Sequence, residues 1–146
     1  MKKRKSQNKN TEFPVRNGFG LFGLHLMVDA YDANPEKLAD MKLVFSFLNN
    51  LPEKIEMKKL TAPQVIDADA TATGKDPGGI SGVVIIAESH ISIHTFPNKG
   101  FLTMDLYSCN NFEEFVPTVV EYIKETFEFE YKELQLVTRG GYYPME

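Results

Sequence analysis

Ser89 stands in the run Ala87-Glu88-Ser89-His90-Ile91-Ser92-Ile93-His94-Thr95-Phe96-Pro97, with Ser81 eight residues before it and Cys109 twenty after it. Hydroxyls, imidazoles and a thiol thus interrupt segments otherwise built from Val, Ile, Leu and Phe. Taken singly, each has a plain structural account: a Ser bonds its own backbone, a strand His packs as a satisfied polar residue, and a lone Cys behaves as a small hydrophobe. Together they permit a specific reaction. A serine hydroxyl can attack the carbonyl carbon of the residue before it, converting amide to ester, where the backbone is strained and the oxyanion is stabilised. Glu88-Ser89 is therefore a candidate for self-cleavage. Breaking such an ester requires a base to take the serine α-proton. His94, five residues along after a tight turn, is expected to return beside Ser89, and an imidazole titrates near neutrality. The order of residues permits this chemistry without selecting it.

Three apolar segments hold these residues: Ile80 to Ala87, His90 to Phe96, and Phe101 to Cys109. Alternation in the second puts Ser92 and His94 on one face of a strand and Ile91 and Ile93 on the other. Pro97-Asn98-Lys99-Gly100 closes an antiparallel hairpin with the third. The polar residues Ser81, Ser89, His90, Ser92, His94 and Cys109 are expected to face inward. Upstream, Phe19 to Tyr31 reads as a mostly buried strand bounded by Gly18 and Asp32-Ala33-Asn34. Asn34-Pro35 opens a helix through Leu38, Met41, Val44, Phe45 and Leu48, expected to stop near Asn49-Asn50 before Pro52. Met57 to Ala72 contains a strand of loose limits, followed by the turn residues Gly74, Pro77, Gly78 and Gly79. Asn111 and Glu114 form a capping-box pattern ahead of a helix on Phe115, Val119, Val120, Ile123 and Phe127, with Pro117 expected to cost it a hydrogen bond or kink it. Tyr131 to Val137 gives a last strand. Strands in series with two amphipathic helices indicate an α+β two-layer sandwich, an antiparallel sheet with two helices on one face. Covering the open face with a copy of itself would give a helix–sheet–sheet–helix dimer.

The 146 residues suffice for one domain with its own core. Residues 1–16 are expected to form a flexible basic tail and residues 17–146 a single domain. Lys2, Lys3, Arg4, Lys5 and Lys9 against Glu12 give the start of the chain +4, leaving about −8 for the rest of a chain of net −4. A polar basic arm of this kind cannot bury enough surface to order itself, and it lacks aromatic partners for nucleic-acid bases. The acidic remainder suits small cationic ligands. No apolar run reaches the ~20 residues of a bilayer span. One cysteine excludes an intrachain disulfide, and no apolar stretch follows the basic start, so a cytoplasmic setting without membrane partners is expected. Three His and one Cys show no metal-ligand spacing.

The segment Ser81-Gly82-Val83-Val84-Ile85-Ile86-Ala87-Glu88-Ser89-His90-Ile91-Ser92-Ile93-His94-Thr95-Phe96-Pro97, continued by Met104-Asp105-Leu106-Tyr107-Ser108-Cys109, closely resembles the prokaryotic S-adenosylmethionine decarboxylase proenzymes. Gly23-Leu24-His25-Leu26-Met27-Val28-Asp29 is similar to that family's opening Gly-x-His-Leu-x-x-acidic strand. The resemblance implies cleavage between Glu88 and Ser89 into a β chain of residues 1–88 and an α chain headed by a pyruvoyl group made from Ser89. It implies His94 as processing base, Ser81 as processing support, and Cys109 as the donor that returns a proton to the substrate α-carbon. The pyruvoyl carbonyl would form a Schiff base with the substrate amine and receive the electrons released with carbon dioxide, the role pyridoxal phosphate plays elsewhere. S-adenosylmethionine is then the substrate, the product is the aminopropyl donor for spermidine synthesis, and the assembly is a homodimer of cleaved protomers.

Two positions depart from the family pattern. Relatives commonly read Trp-Pro-Glu where this chain has Phe96-Pro97-Asn98, so the carboxylate that resembles a ribose binder is replaced by an amide. The aromatic that stacks on adenine falls at Lys75. Phe19, Phe22, Tyr31 or Phe96 could supply a ring instead. Both changes concern nucleoside recognition, so arginine or ornithine as substrate on the same scaffold is an alternative, with Asp76 or the acidic surface pairing the cation. A non-catalytic, uncleaved paralogue is another; retention of Ser89, His94 and Cys109 argues against it.

Overall fold

The computed structural model of the chain describes residues 19–68 and 78–144. The basic tail, Lys75 and Asp76 lie outside them. The elements in order are β1 (Phe19–Gly20), β2 (Gly23–Tyr31), α1 (Pro35–Leu38), α2 (Met41–Lys54), β3 (Gln64–Asp67), β4 (Ile80–Ile86), β5 (Ser89–Phe96), β6 (Phe101–Ser108), α3 (Val116–Phe127), β7 (Tyr131–Arg139) and β8 (Tyr143–Pro144). Six strands form one antiparallel sheet in the order β3-β4-β5-β6-β2-β7, and β1 pairs with β8 separately.

Period-two alternation decides which sheet face is covered. Leu26, Val28, Val84, Ile91, Ile93, Leu102, Met104 and Leu106 point to one side and are buried there with Val44, Phe47, Leu48 and Leu51 of α2 and Val119, Ile123 and Phe127 of α3. The opposite face carries His25, Met27, Asp29 and Tyr31 of β2, His90, Ser92 and His94 of β5, and Thr103, Asp105 and Tyr107 of β6. No described element covers it. Among the described residues, no helix is long and apolar enough to cross a membrane.

The helices differ from the expected ones in three places, each for a local reason. The single helix after Asn34 is two: α1 ends at Ala39, and Asp40 caps a new start by accepting the Leu43 N–H at 3.1 Å. The helix also runs through Pro52 to Lys54, because Leu51, Pro52 and Ile55 are buried and the Pro52 carbonyl accepts the Met57 N–H at 2.8 Å. Tertiary burial here outweighs the stop signal of Asn-Asn-x-Pro. Third, the capping box does not form. The Asn111 side chain accepts from Glu113 N–H, a 3₁₀ turn fills Glu113–Phe115, and Pro117 falls in the first turn of α3, where its missing N–H costs no helical bond and no kink follows.

The strands agree with the sequence more closely. The first expected strand is broken between β1 and β2, β3 is confined to four residues, and β7 extends two residues past Val137. The β5–β6 connection is a 3₁₀ turn, Pro97–Lys99, closed by Gly100 at φ +59°, a conformation that suits a residue without Cβ.

Candidate active site

β4 and β5 are joined by a two-residue turn, Ala87-Glu88, with Ile86 paired to Ser89 across its mouth. Glu88 has φ +57°. A non-glycine residue in this left-handed region costs ~1–2 kcal/mol, so the suspected scissile bond starts from a strained residue.

The end of β6 holds that bond from both sides. Ser89 donates its hydroxyl to Ser108 Oγ at 2.7 Å and also lies 3.1 Å from the Ala87 carbonyl oxygen. Cys109 Sγ donates to Glu88 Oε2 at 2.7 Å. Consecutive residues at the end of a strand point to opposite sides, so Ser108 reaches Ser89 toward the core while Cys109 reaches the exposed Glu88. The hydrogen bond to the Glu88 carboxylate, with burial second, pushes the Cys109 thiol above its ordinary value. Gly23 of β2 permits this packing: a Cβ there would stand 2.3 Å from the Ser108 carbonyl oxygen and 2.9 Å from Cys109 Cα.

His94 is elsewhere. The tight turn precedes Ser89 instead of separating it from His94, and β5 runs straight from one to the other. Five residues at ~3.3 Å each place them ~16 Å apart along the strand. An odd separation also puts them on opposite faces, Ser89 buried and His94 exposed. The expectation that His94 returns beside Ser89 within one chain is thus corrected. So is the expectation that the polar set faces inward: Ser81, His90, Ser92 and His94 belong to the open face, and only Ser89 of the strand set is turned to the core.

A second group forms around His94. Its Nδ1 lies 2.8 Å from the hydroxyl of Ser81, its register partner on β4. Phe96, on the same face, stacks on Phe101 with centroids 5.6 Å apart, and Phe101 stacks on Tyr31 at 5.1 Å. Asn98 sits exposed in the following 3₁₀ turn. The residues expected to bind the nucleoside, Phe96 and Asn98, therefore accompany His94 and Ser81, while Lys75 lies outside the described residues. Across β6, β2 and β7, a pocket of about 280 Å³ is lined by Asp29, Asp105 and Glu133 among others. His25 Nε2 meets Asp105 Oδ1 at 2.8 Å, and Tyr31 donates to Glu133 at 2.7 Å. Burial, then the neighbouring Glu133 and Asp105, raises the Asp29 pKa. Among the described residues, no group of three or more His, Cys, Asp or Glu is placed to hold a metal.

Sequence reasoning gave Ser108 no role. A signal existed: it is the fourth member of the face Leu102, Met104, Leu106, Ser108, a hydroxyl where the pattern demands a hydrocarbon. The ring ladder from Phe96 through Phe101 to Tyr31 left no comparable sign, because it depends on register across three strands.

Comparison with known proteins covers most of the chain. A family model described as S-adenosylmethionine decarboxylase matches residues 24–140. The S-adenosylmethionine decarboxylase proenzyme of Pyrococcus furiosus is 38% identical over 122 residues, 81% of this chain and 78% of that protein. That of Thermodesulfovibrio yellowstonii is 34% identical over 119 residues, 81% of each. Among solved structures, the adenosylmethionine decarboxylase of Aquifex aeolicus superposes with a TM-score of 0.66 at 26% identity, covering 82% of this chain and 92% of that one.

Proposed function

Because this chain belongs to the S-adenosylmethionine decarboxylase family, we propose that it cuts its own Glu88–Ser89 bond and decarboxylates S-adenosylmethionine with a pyruvoyl group made from Ser89, yielding the aminopropyl donor for spermidine synthesis. The observation that carries this reading is the clamp on that bond: a strained Glu88, with Ser108 and Cys109 gripping the residues on either side.

In the cut, Ser89 Oγ bonds to the Glu88 carbonyl carbon as the C–N bond breaks, and the freed nitrogen takes a proton. The Ser89 α-proton then passes to a base while Glu88 leaves as a carboxylate, and water replaces the nitrogen, which departs as ammonia. The position fits the resulting group, since Ser89 heads a strand held in register by β6 and adjoins the Ser108 hydroxyl, with the Cys109 thiol bonded to the residue before it. Once formed, a pyruvoyl group supplies an electrophilic carbonyl that takes the substrate amine and accepts the electron pair left by carbon dioxide. Cys109, released from Glu88 by the cut, is placed to deliver a proton beside residue 89. Asp29, Asp105 and Glu133 give the open face a negative field suited to a sulfonium cation.

Within one chain His94, the base that the family resemblance implies, does not reach Ser89. We assign the base to a homodimer in which a second copy covers the open face, so that the partner subunit's His94, with Ser81 and Phe96 beside it, is laid against this chain's turn. Both the uncovered face and the ~16 Å separation support that assembly.

Intact-mass measurement of the purified protein tests the reading. Fragments split at Glu88–Ser89, the second lacking its amine, are expected; a single full-length species that releases no carbon dioxide overturns it. Carboxyl-labelled S-adenosylmethionine, arginine and ornithine should be compared, since Asn98 replaces a carboxylate. Labelled carbon dioxide from an amino acid and none from the first would reassign the substrate.

A further inference from the structure

Among the described residues, three polar side chains are buried: Ser89, Thr95 and Ser108. A buried hydroxyl without a partner is destabilising, so each should have a reason to be there. Thr95 has a structural one, because it accepts the Ile80 N–H at 3.2 Å and donates to the Leu38 carbonyl at 2.7 Å, tying β4 and α1 to β5. Among the described residues, the Ser108 hydroxyl reaches no backbone group of another element; its one hydrogen bond outside its own strand end is with the Ser89 hydroxyl. It is fully buried at the end of β6, accepts the Asn110 N–H at 3.0 Å two residues along its own chain, and faces Ser89 at 2.7 Å.

Proton accounting then gives Ser108 a task. The Ser89 hydroxyl has one proton and two acceptors, Ser108 Oγ and the Ala87 carbonyl oxygen. Donation to Ala87 turns the proton toward the turn that contains the Glu88 carbonyl. Donation to Ser108 turns it across the ladder toward β6. With the Asn110 N–H occupying one lone pair of Ser108, its oxygen is fixed in place to accept.

We propose that Ser108 is a positioning residue for self-cleavage: its oxygen draws the Ser89 proton toward β6 and leaves an Oγ lone pair directed at the Glu88 carbonyl carbon. This rests on the self-cleavage reading above. Threonine and valine have nearly the same shape and differ by the hydroxyl, so the pair separates positioning from packing.

The test follows cleavage of the full chain by intact mass during timed expression for wild type, Ser108→Thr, Ser108→Val and Ser108→Ala, with thermal melts of each in a Ser89→Ala background to establish folding. Thr should cleave within about threefold of wild type, while Val and Ala slow by about tenfold, the scale of one hydrogen bond. Equal rates for Thr and Val overturn the role of Ser108, as does an unaltered rate in Ala should Val fail to fold. A wild-type chain that stays whole removes the self-cleavage reading and this inference with it, an outcome distinct from the other two.

Discussion

Ser81 Oγ and His94 Nδ1 stand 2.8 Å apart across the β4–β5 ladder, on the face of the sheet opposite to Ser89 and five residues up the strand from it. A hydroxyl and an imidazole so paired form a proton-handling unit, yet the bond they would process is out of their reach in the same chain. The proposed chemistry is thus divided between two ends of one sheet.

Mixed dimers test this division. A His94→Ala chain alone should stay uncut, as should Ser89→Ala. Co-expressed, the His94→Ala copy keeps Ser89 and the Ser89→Ala copy keeps His94, so cleaved His94→Ala chains should appear by mass. If His94 acts within its own chain, no cleavage is recovered.

The contact between Cys109 and Glu88 predicts a pH-dependent reactivity. In the uncut Ser89→Ala protein, the carboxylate holds the thiol pKa above its ordinary value, so at any given pH less thiolate is present and alkylation by iodoacetamide is slow. Glu88→Gln should lower that pKa and move the alkylation profile to lower pH. Profiles that coincide would show that the carboxylate does not control the thiol. Cys109→Ala should still be cut, with carbon dioxide release by the cut protein reduced at least about a hundredfold, the low end of general acid catalysis.

Strain at the turn gives a stability prediction. Glu88→Gly in the Ser89→Ala background removes the Cβ penalty at φ +57° and should raise stability by about 1 kcal/mol, read as a higher melting temperature. The same change with Ser89 intact should slow cleavage, because less strain is released on cutting.

Gly23→Ala tests the support behind the clamp. The new methyl would meet the backbone oxygen of Ser108 at 2.3 Å, too close for either strand to keep its place. A loss of about 1–3 kcal/mol in denaturant unfolding is expected, together with slower cleavage. Normal stability and cleavage would mean that β2 does not fix the end of β6.

Much of the architecture was legible because period-two alternation in Ile80 to Cys109 and helical spacing in α2 and α3 are physical requirements of a half-buried sheet and its cover. The helix boundaries were less so: Pro52 and Pro117 signal by local chemistry, while burial of Leu51 and Ile55 and the 3₁₀ turn at Glu113–Phe115 decide where the helices run. At the site, the family resemblance gave Ser89, His94 and Cys109 their expected roles, but not the distance between the first two. That depended on whether the turn fell before or after Ser89, and a one-element error there changes a neighbour into a residue ~16 Å away. Ser108 was visible only as a broken apolar pattern until its partner across the ladder was known.

The strand order carries a last consequence, about the history of the molecule. A cut at Glu88–Ser89 would leave β3, β4 and β2 on one fragment and β5, β6 and β7 on the other, yet β2 lies between β6 and β7 in the sheet. The fragments are therefore interlaced, and neither can depart without tearing the sheet at more than one seam. Before the cut, refolding is a first-order process of one chain; afterwards, two dissolved fragments must first find each other, and the rate falls with dilution. Self-cleavage would convert a reversible fold into one assembled once, with its persistence set by how slowly it opens.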